Sequence, residues 1–174
     1  MKSESVFSRS VNSKPATQVG ESLWYARRFQ ELAVYKKTRL LSREVFNVSK
    51  AFPREEAFSL TDQLRRASRS IGGQLAEAWA KRRYPKHFLS KLTDADGEQL
   101  ETQHWLTVAF DSGYISEEET RRLGQLCLEV GCMLGEMITK AEQFCRSEGD
   151  HLAEESAAYN TQIDLAAITD LLIH

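Results

Sequence analysis

Residues 59–80 read SLTDQLRRASRSIGGQLAEAWA, and their spacing decides the fold. Leu60, Leu64, Ala67, Ile71, Leu75 and Ala78 recur at intervals of three and four, which puts them on one face of an α-helix. Ser59 and Asp62 have the spacing of a capping box, with Ser59 as the cap and Asp62 at the third position. The remaining faces carry Arg65, Arg66 and Arg69. Gly72 and Gly73 stand in mid-helix, where each glycine costs about 1 kcal/mol relative to alanine. A requirement for bare backbone, such as close helix approach or a subunit contact, is therefore expected there.

Similar patterns lie on both sides. Upstream, Val34, Leu41, Val45, Val48 and Phe52 form one stripe that Pro53 closes, because its ring disfavours helical geometry at Phe52. Downstream, Tyr84-Pro85 breaks the chain and places proline in the first turn of a third helix, which runs to about Asp111 with Gly113 as its left-handed cap. Ser116 to Glu119 form a second capping box with acidic residues in the first turn, where the helix dipole favours them. It opens a fourth helix striped by Leu123, Leu126, Val130, Leu134, Met137, Ala141 and Phe144 and running to about Arg146. The expected fold is all-α, an antiparallel up-down-up-down four-helix bundle over residues 22–146. Residues 1–21 read as a polar N-terminal tail, and 147–174 as a C-terminal tail with a short amphipathic helix at Leu165 to Ile173. No strand candidate of useful length and no internal repeat occurs.

A chain of 174 residues, 41% hydrophobic and 28% charged, suits one domain with a real core. No run approaches the roughly 20 apolar residues of a membrane span, and the polar N-terminus has no secretory h-region, so the cytoplasm is the expected compartment. Cys127, Cys132 and Cys145 lack CxxC spacing and read as free, mostly buried thiols. The net charge of −2 conceals a sharp division. Residues 24–91 carry 16 Lys and Arg against 6 Asp and Glu, whereas residues 92–174 carry 4 against 17. Such a split can steer a polyanion to one face, or join one subunit's basic half to another's acidic half.

Several landmarks occur in a characteristic order: Phe29, Leu32 and Val34 to Lys37; Phe52-Pro53, Glu55, Glu56, Phe58 and Leu60; Gln63 to Ala67; Ser70, Ile71 and Gln74 to Glu77; Glu98, Glu101 and Thr102; and Gly113 to Ile115. In these the chain resembles the S23-type four-helix-bundle proteins, first met as products of intervening sequences inside 23S ribosomal RNA genes. It departs from the family pattern at Gln74-Leu75, Ala78, Tyr84 and Asp94 to Gly97. The resemblance implies an antiparallel bundle assembled as a homopentameric ring, without enzymatic activity, and an adaptor role among relatives that engage a reverse transcriptase and nucleic acid.

Arg65, Arg66, Arg69, Lys81, Arg82, Arg83 and Lys86 are the candidate nucleic-acid contacts, because arginines bind phosphates bidentately and several such contacts give salt-sensitive affinity. The competing reading is a solvated face paired with the acidic half. Gly72, Gly73, Glu77 and Trp79 are candidate structural or assembly residues, with Glu77 expected partly buried against Arg69 or an arginine from elsewhere. The alternative function is a di-metal carboxylate enzyme, since Glu101 and His104 have Glu-x-x-His spacing, repeated at Glu148 and His151, with Glu77 and Glu136 as further carboxylates. The second pair is a poor helix interior because of Gly149 and Asp150. No serine or cysteine motif suggests nucleophilic catalysis, and no cofactor is expected. The sequence reading is thus a non-enzymatic oligomeric scaffold or adaptor, possible contact with nucleic acid or a protein bound to it being made through helix two.

Overall fold

The computed structural model describes residues 26–145. The expected tails at 1–21 and 147–174, the amphipathic stretch 165–173, Trp24, Glu148 and His151 lie outside them. Four main helices, α1 (Ala33–Val48), α2 (Leu60–Ala80), α3 (Pro85–Asp111) and α4 (Glu117–Thr139), are followed by the single turn α5 (Ala141–Phe144). No strand occurs among the described residues.

Cross-helix contacts define the arrangement. Ser49 meets Arg65 while Tyr35 and Thr38 face Gly72, so α1 and α2 run antiparallel. Lys91 reaches Gln74 and Glu77 across the tight α2–α3 turn. Gln99 faces Gly131, and Phe88 of α3 packs on Phe144 at a centroid distance of 6.1 Å, so α3 and α4 are antiparallel too. The square closes where α1 pairs with α4 through Lys37–Glu129 at 2.7 Å and Glu44–Arg122 at 2.6 Å. Inside it, Leu41, Leu64, Ile71, Leu92, Leu123, Val130 and Leu134 are completely buried.

Helix ends account for most departures from the sequence reading. α1 stops at Val48 and tightens into a 3-10 turn at Ser49–Ala51, where the Ser49 hydroxyl donates to the Phe46 carbonyl at 3.1 Å. The capping box expected at Ser59 does not form. The Glu56 carboxylate takes that role, accepting the Ser59 hydroxyl and the Leu60 amide, while Asp62 pairs with Arg66 at 3.9 Å. Tyr114 donates its hydroxyl to the same carboxylate at 3.3 Å, tying the α1–α2 connection to the α3–α4 turn. Gly113 adopts φ +73°, and the amides of Gly113 and Tyr114 bond to Phe110 and Ala109, a Schellman closure of α3. The second capping box forms as expected, with the Glu119 amide donating to Ser116 Oγ at 3.2 Å and the Ser116 amide donating to Glu119 at 2.8 Å. α4 ends at Thr139 and not near Arg146; the break at Lys140 turns the chain so that Phe144 is buried over Phe88.

The hydrogen bonds from Ser116 hold the Glu119 carboxyl below its ordinary value of 4.5. A lowered folded value stabilises the protein above the unfolded value and is lost as pH falls through the folded one. Glu119→Gln, which keeps a capping side chain but cannot titrate, is expected to show a shallower loss of thermal stability below pH 4.5 than the parent in melts followed by circular dichroism. Leu134→Ala is expected to lower unfolding free energy by about 2–5 kcal/mol in urea titrations, because Leu134 has no solvent exposure.

Candidate functional site

The cations singled out in the sequence do not form one surface. Arg65 and Arg69 stand near the start of α2 with their guanidinium carbons 5.0 and 5.8 Å from the centroid of the Phe46 ring. Arg66 turns away to Asp62. Lys81, Arg82 and Arg83 lie just past the opposite end, about 25 Å along the helix at 1.5 Å per residue, with Lys86 in the first turn of α3. There the Arg82 guanidinium carbon stands 3.5 Å from the Trp79 ring centroid and its Nε donates to the Trp79 carbonyl at 2.9 Å, while that of Arg83 lies 5.9 Å from the Tyr84 ring centroid. Lys86 is exposed, and Lys81 half-buried. Between residues 78 and 90 the chain has no acidic residue.

The assembly candidates separate as well. Gly72 meets the expectation of close approach: a Cβ there would stand 3.5 Å from both the Tyr35 ring and the Thr38 hydroxyl. Gly73 does not, since open space surrounds the corresponding position. Glu77 is exposed, not partly buried, and its partner is Lys91 of α3 at 2.8 Å, not Arg69. The reason is rotational: Arg69 lies on the α1 side of α2 beside Phe46, and Glu77 on the α3 side. Lys91 also meets Asp94 at 3.3 Å, and the two carboxylates raise its affinity for a proton. Trp79 packs half-buried against the core.

The di-metal constellation is not assembled. Glu101 accepts a hydrogen bond from Trp105 Nε1 at 3.0 Å, His104 lies exposed beside the Trp105 ring, Glu77 is held by Lys91, and Glu136 by Lys140. Among the described residues no group of three or more His, Cys, Asp or Glu could hold a metal ion. No described helix is long and apolar enough to cross a membrane.

Other features were missed. Phe46 of α1 and Lys50 of the 3-10 turn after it join the arginines of α2, and only the Phe46–Lys50 pair, at i, i+4 spacing, had a signal in the sequence. Phe58, at 94% exposure, projects from the α1–α2 connection, and Leu100 and Leu128 are exposed on α3 and α4. Gly131 admits the buried Gln99 side chain, whose Oε1 would stand 3.1 Å from an added Cβ.

The geometry defines a class: a bundle of four closely packed antiparallel helices with a cationic α1–α2 side and carboxylates concentrated on α3 and α4. The chain belongs to the family described as 23S rRNA-intervening sequence protein, which residues 30–136 match. Among solved structures it is similar to a protein of unknown function from the S23 ribosomal protein family of Bacteroides thetaiotaomicron. The two share 26% identity with a TM-score of 0.56, over 61% of this chain and 95% of that one. No curated protein matches the chain.

The thiols differ from the expectation of general burial: Cys127 is buried, Cys132 exposed and Cys145 between them. Burial pushes the Cys127 thiol up to about 12. In the native protein a thiol reagent at pH 8 is expected to label Cys132 first, Cys145 more slowly and Cys127 only on unfolding, as peptide mass mapping would show.

Proposed function

We propose that this protein is a non-enzymatic oligomeric scaffold or adaptor, a ring of bundles whose cationic α2 residues contact nucleic acid or a protein bound to it. The observation that carries this reading is the segregation of charge, 16 cations against 6 carboxylates in residues 24–91 and the reverse imbalance beyond them. Phosphate contacts by such cations supply affinity without sequence preference. The same division suits a heterologous contact, in which the basic side of one copy meets the acidic side of the next; such contacts close into rings when the rotation permits. Phe58, Leu100 and Leu128 supply apolar surface that assembly would cover. Five copies are the expected number from the resemblance to S23-type proteins.

The test is the absolute mass of the purified full chain by light scattering, with the 260/280 nm absorbance ratio followed across the peak. A mass near five times 19.8 kDa, with a raised ratio that falls in high salt, is expected. A monomer free of nucleic acid would overturn both assembly and adaptor.

A further inference from the structure

Around Phe46 the α1–α2 hairpin brings together three cations that the sequence holds apart. Lys50 Nζ lies 4.7 Å from the ring centroid, and the guanidinium carbons of Arg65 and Arg69 lie at 5.0 and 5.8 Å. Lys50 comes from the 3-10 turn that follows α1, and the arginines from successive turns of α2. Among the described residues none of the three forms an ion pair with a carboxylate; Lys50 donates to Asn47 Oδ1 at 3.4 Å. The negative face of an aromatic ring attracts each cation but leaves their mutual repulsion standing. A solvent-exposed cluster of this kind gains by accepting an anion.

The cluster is also held in place. Arg65 Nε donates to Ser49 Oγ at 2.7 Å, and the Ser49 hydroxyl in turn donates to the Phe46 carbonyl. The 3-10 turn that ends α1 thus fixes one guanidinium in a set orientation, and its Nη groups have no other partner among the described residues. Gly73, one turn beyond Arg69, leaves open space where a side chain would stand, so the surface beside the cluster is bare.

We infer that the Phe46 cluster is a phosphate subsite, in which Arg65 and Arg69 donate to the phosphate oxygens and Lys50 supplies a point charge. The inference rests on the nucleic-acid reading above and deepens it: it selects one end of α2 and adds Ser49, Phe46 and Lys50 of the preceding hairpin arm. The phosphate is that of a nucleic-acid backbone or a free phosphate, and the two are separated by experiment.

The full chain is titrated into a fluorescein-labelled 20-nucleotide single strand at several salt concentrations, with binding followed by anisotropy. The triple variant Lys50→Gln, Arg65→Gln, Arg69→Gln is expected to bind at least tenfold more weakly. Its dependence of log affinity on log salt should be shallower by about 0.7, the effect of one lost single-strand phosphate contact. Arg121→Gln, a cation of α4 that pairs with Glu117 outside the cluster, should retain the affinity. Gly73→Glu keeps every contact of the cluster and adds a carboxylate one turn from Arg69; it too should weaken binding, which guards against a triple variant that fails to fold. A triple variant that is folded and binds as the parent does would overturn the subsite while leaving the nucleic-acid reading intact. Loss of assembly with unchanged strand binding would overturn it in favour of a subunit contact. If the parent binds no strand, the nucleic-acid reading fails. Calorimetry with inorganic pyrophosphate then decides the subsite alone: heat with the parent and none with the triple variant supports it, and no heat with either overturns it.

Discussion

The buried stripe of α2 is the constraint on which the rest of the molecule depends. Leu64, Ile71 and Leu75 are withdrawn from water by α1 on one flank and α3 on the other, and α4 completes the enclosure through Leu123, Val130 and Leu134. Removing any one of these large side chains forfeits both its transfer free energy and its packing. Because the stripe occupies only one side of α2, it also decides which residues must face outward. Arg65 and Arg69 reach the α1 side and Glu77 the α3 side as a geometric result of where the leucines point.

Short-range chemistry was therefore legible and cross-helix chemistry was not. The apolar stripes of α1, α2 and α4, the Pro85 start, the left-handed Gly113 and the Ser116–Glu119 box each rest on short-range spacing, and each is present, with Val48 and Leu126 only half-buried. Ser59 shows where such reasoning fails. Its hydroxyl was expected to accept from the Asp62 amide, but it donates instead to the Glu56 carboxylate, which also accepts the Leu60 amide and is tied to Tyr114 from 58 residues away. Glu77 was expected to pair with Arg69 or an arginine from elsewhere, but its rotation about α2 points it toward Lys91, a pairing that only the α2–α3 hairpin reveals. α4 kept its apolar period past its actual end, since Ala141 and Phe144 remain buried after the break at Lys140. The Phe46 cluster combines residues 46, 49 and 50 with 65 and 69, and no window along the chain contains a reason for them to meet.

Charge is arranged differently on the two sides of the bundle. Many carboxylates of α3 and α4 are engaged: Glu129 with Lys37, Glu117 with Arg121, Glu136 with Lys140, Asp94 with Lys91 and Glu119 with its own helix start. Surface pairs of this type contribute little to stability, but they neutralise the field locally. At the Phe46 cluster the cations are held by an aromatic ring, a serine hydroxyl and an asparagine amide, none of which cancels their charge. A potential that is locally positive and uncompensated on one side, with carboxylates outnumbering cations on the other, favours a polyanion on the first. This contrast, more than the modest net charge of −2, connects the fold to the proposed role.

The most direct test of that account is hydrogen–deuterium exchange of the full chain with and without a saturating single-stranded oligonucleotide, read at peptide resolution. Slowed exchange confined to the last turn of α1 and the first half of α2, residues 46–50 and 65–73, is the predicted result. Protection confined to α3 and α4, with none on the hairpin, would contradict it.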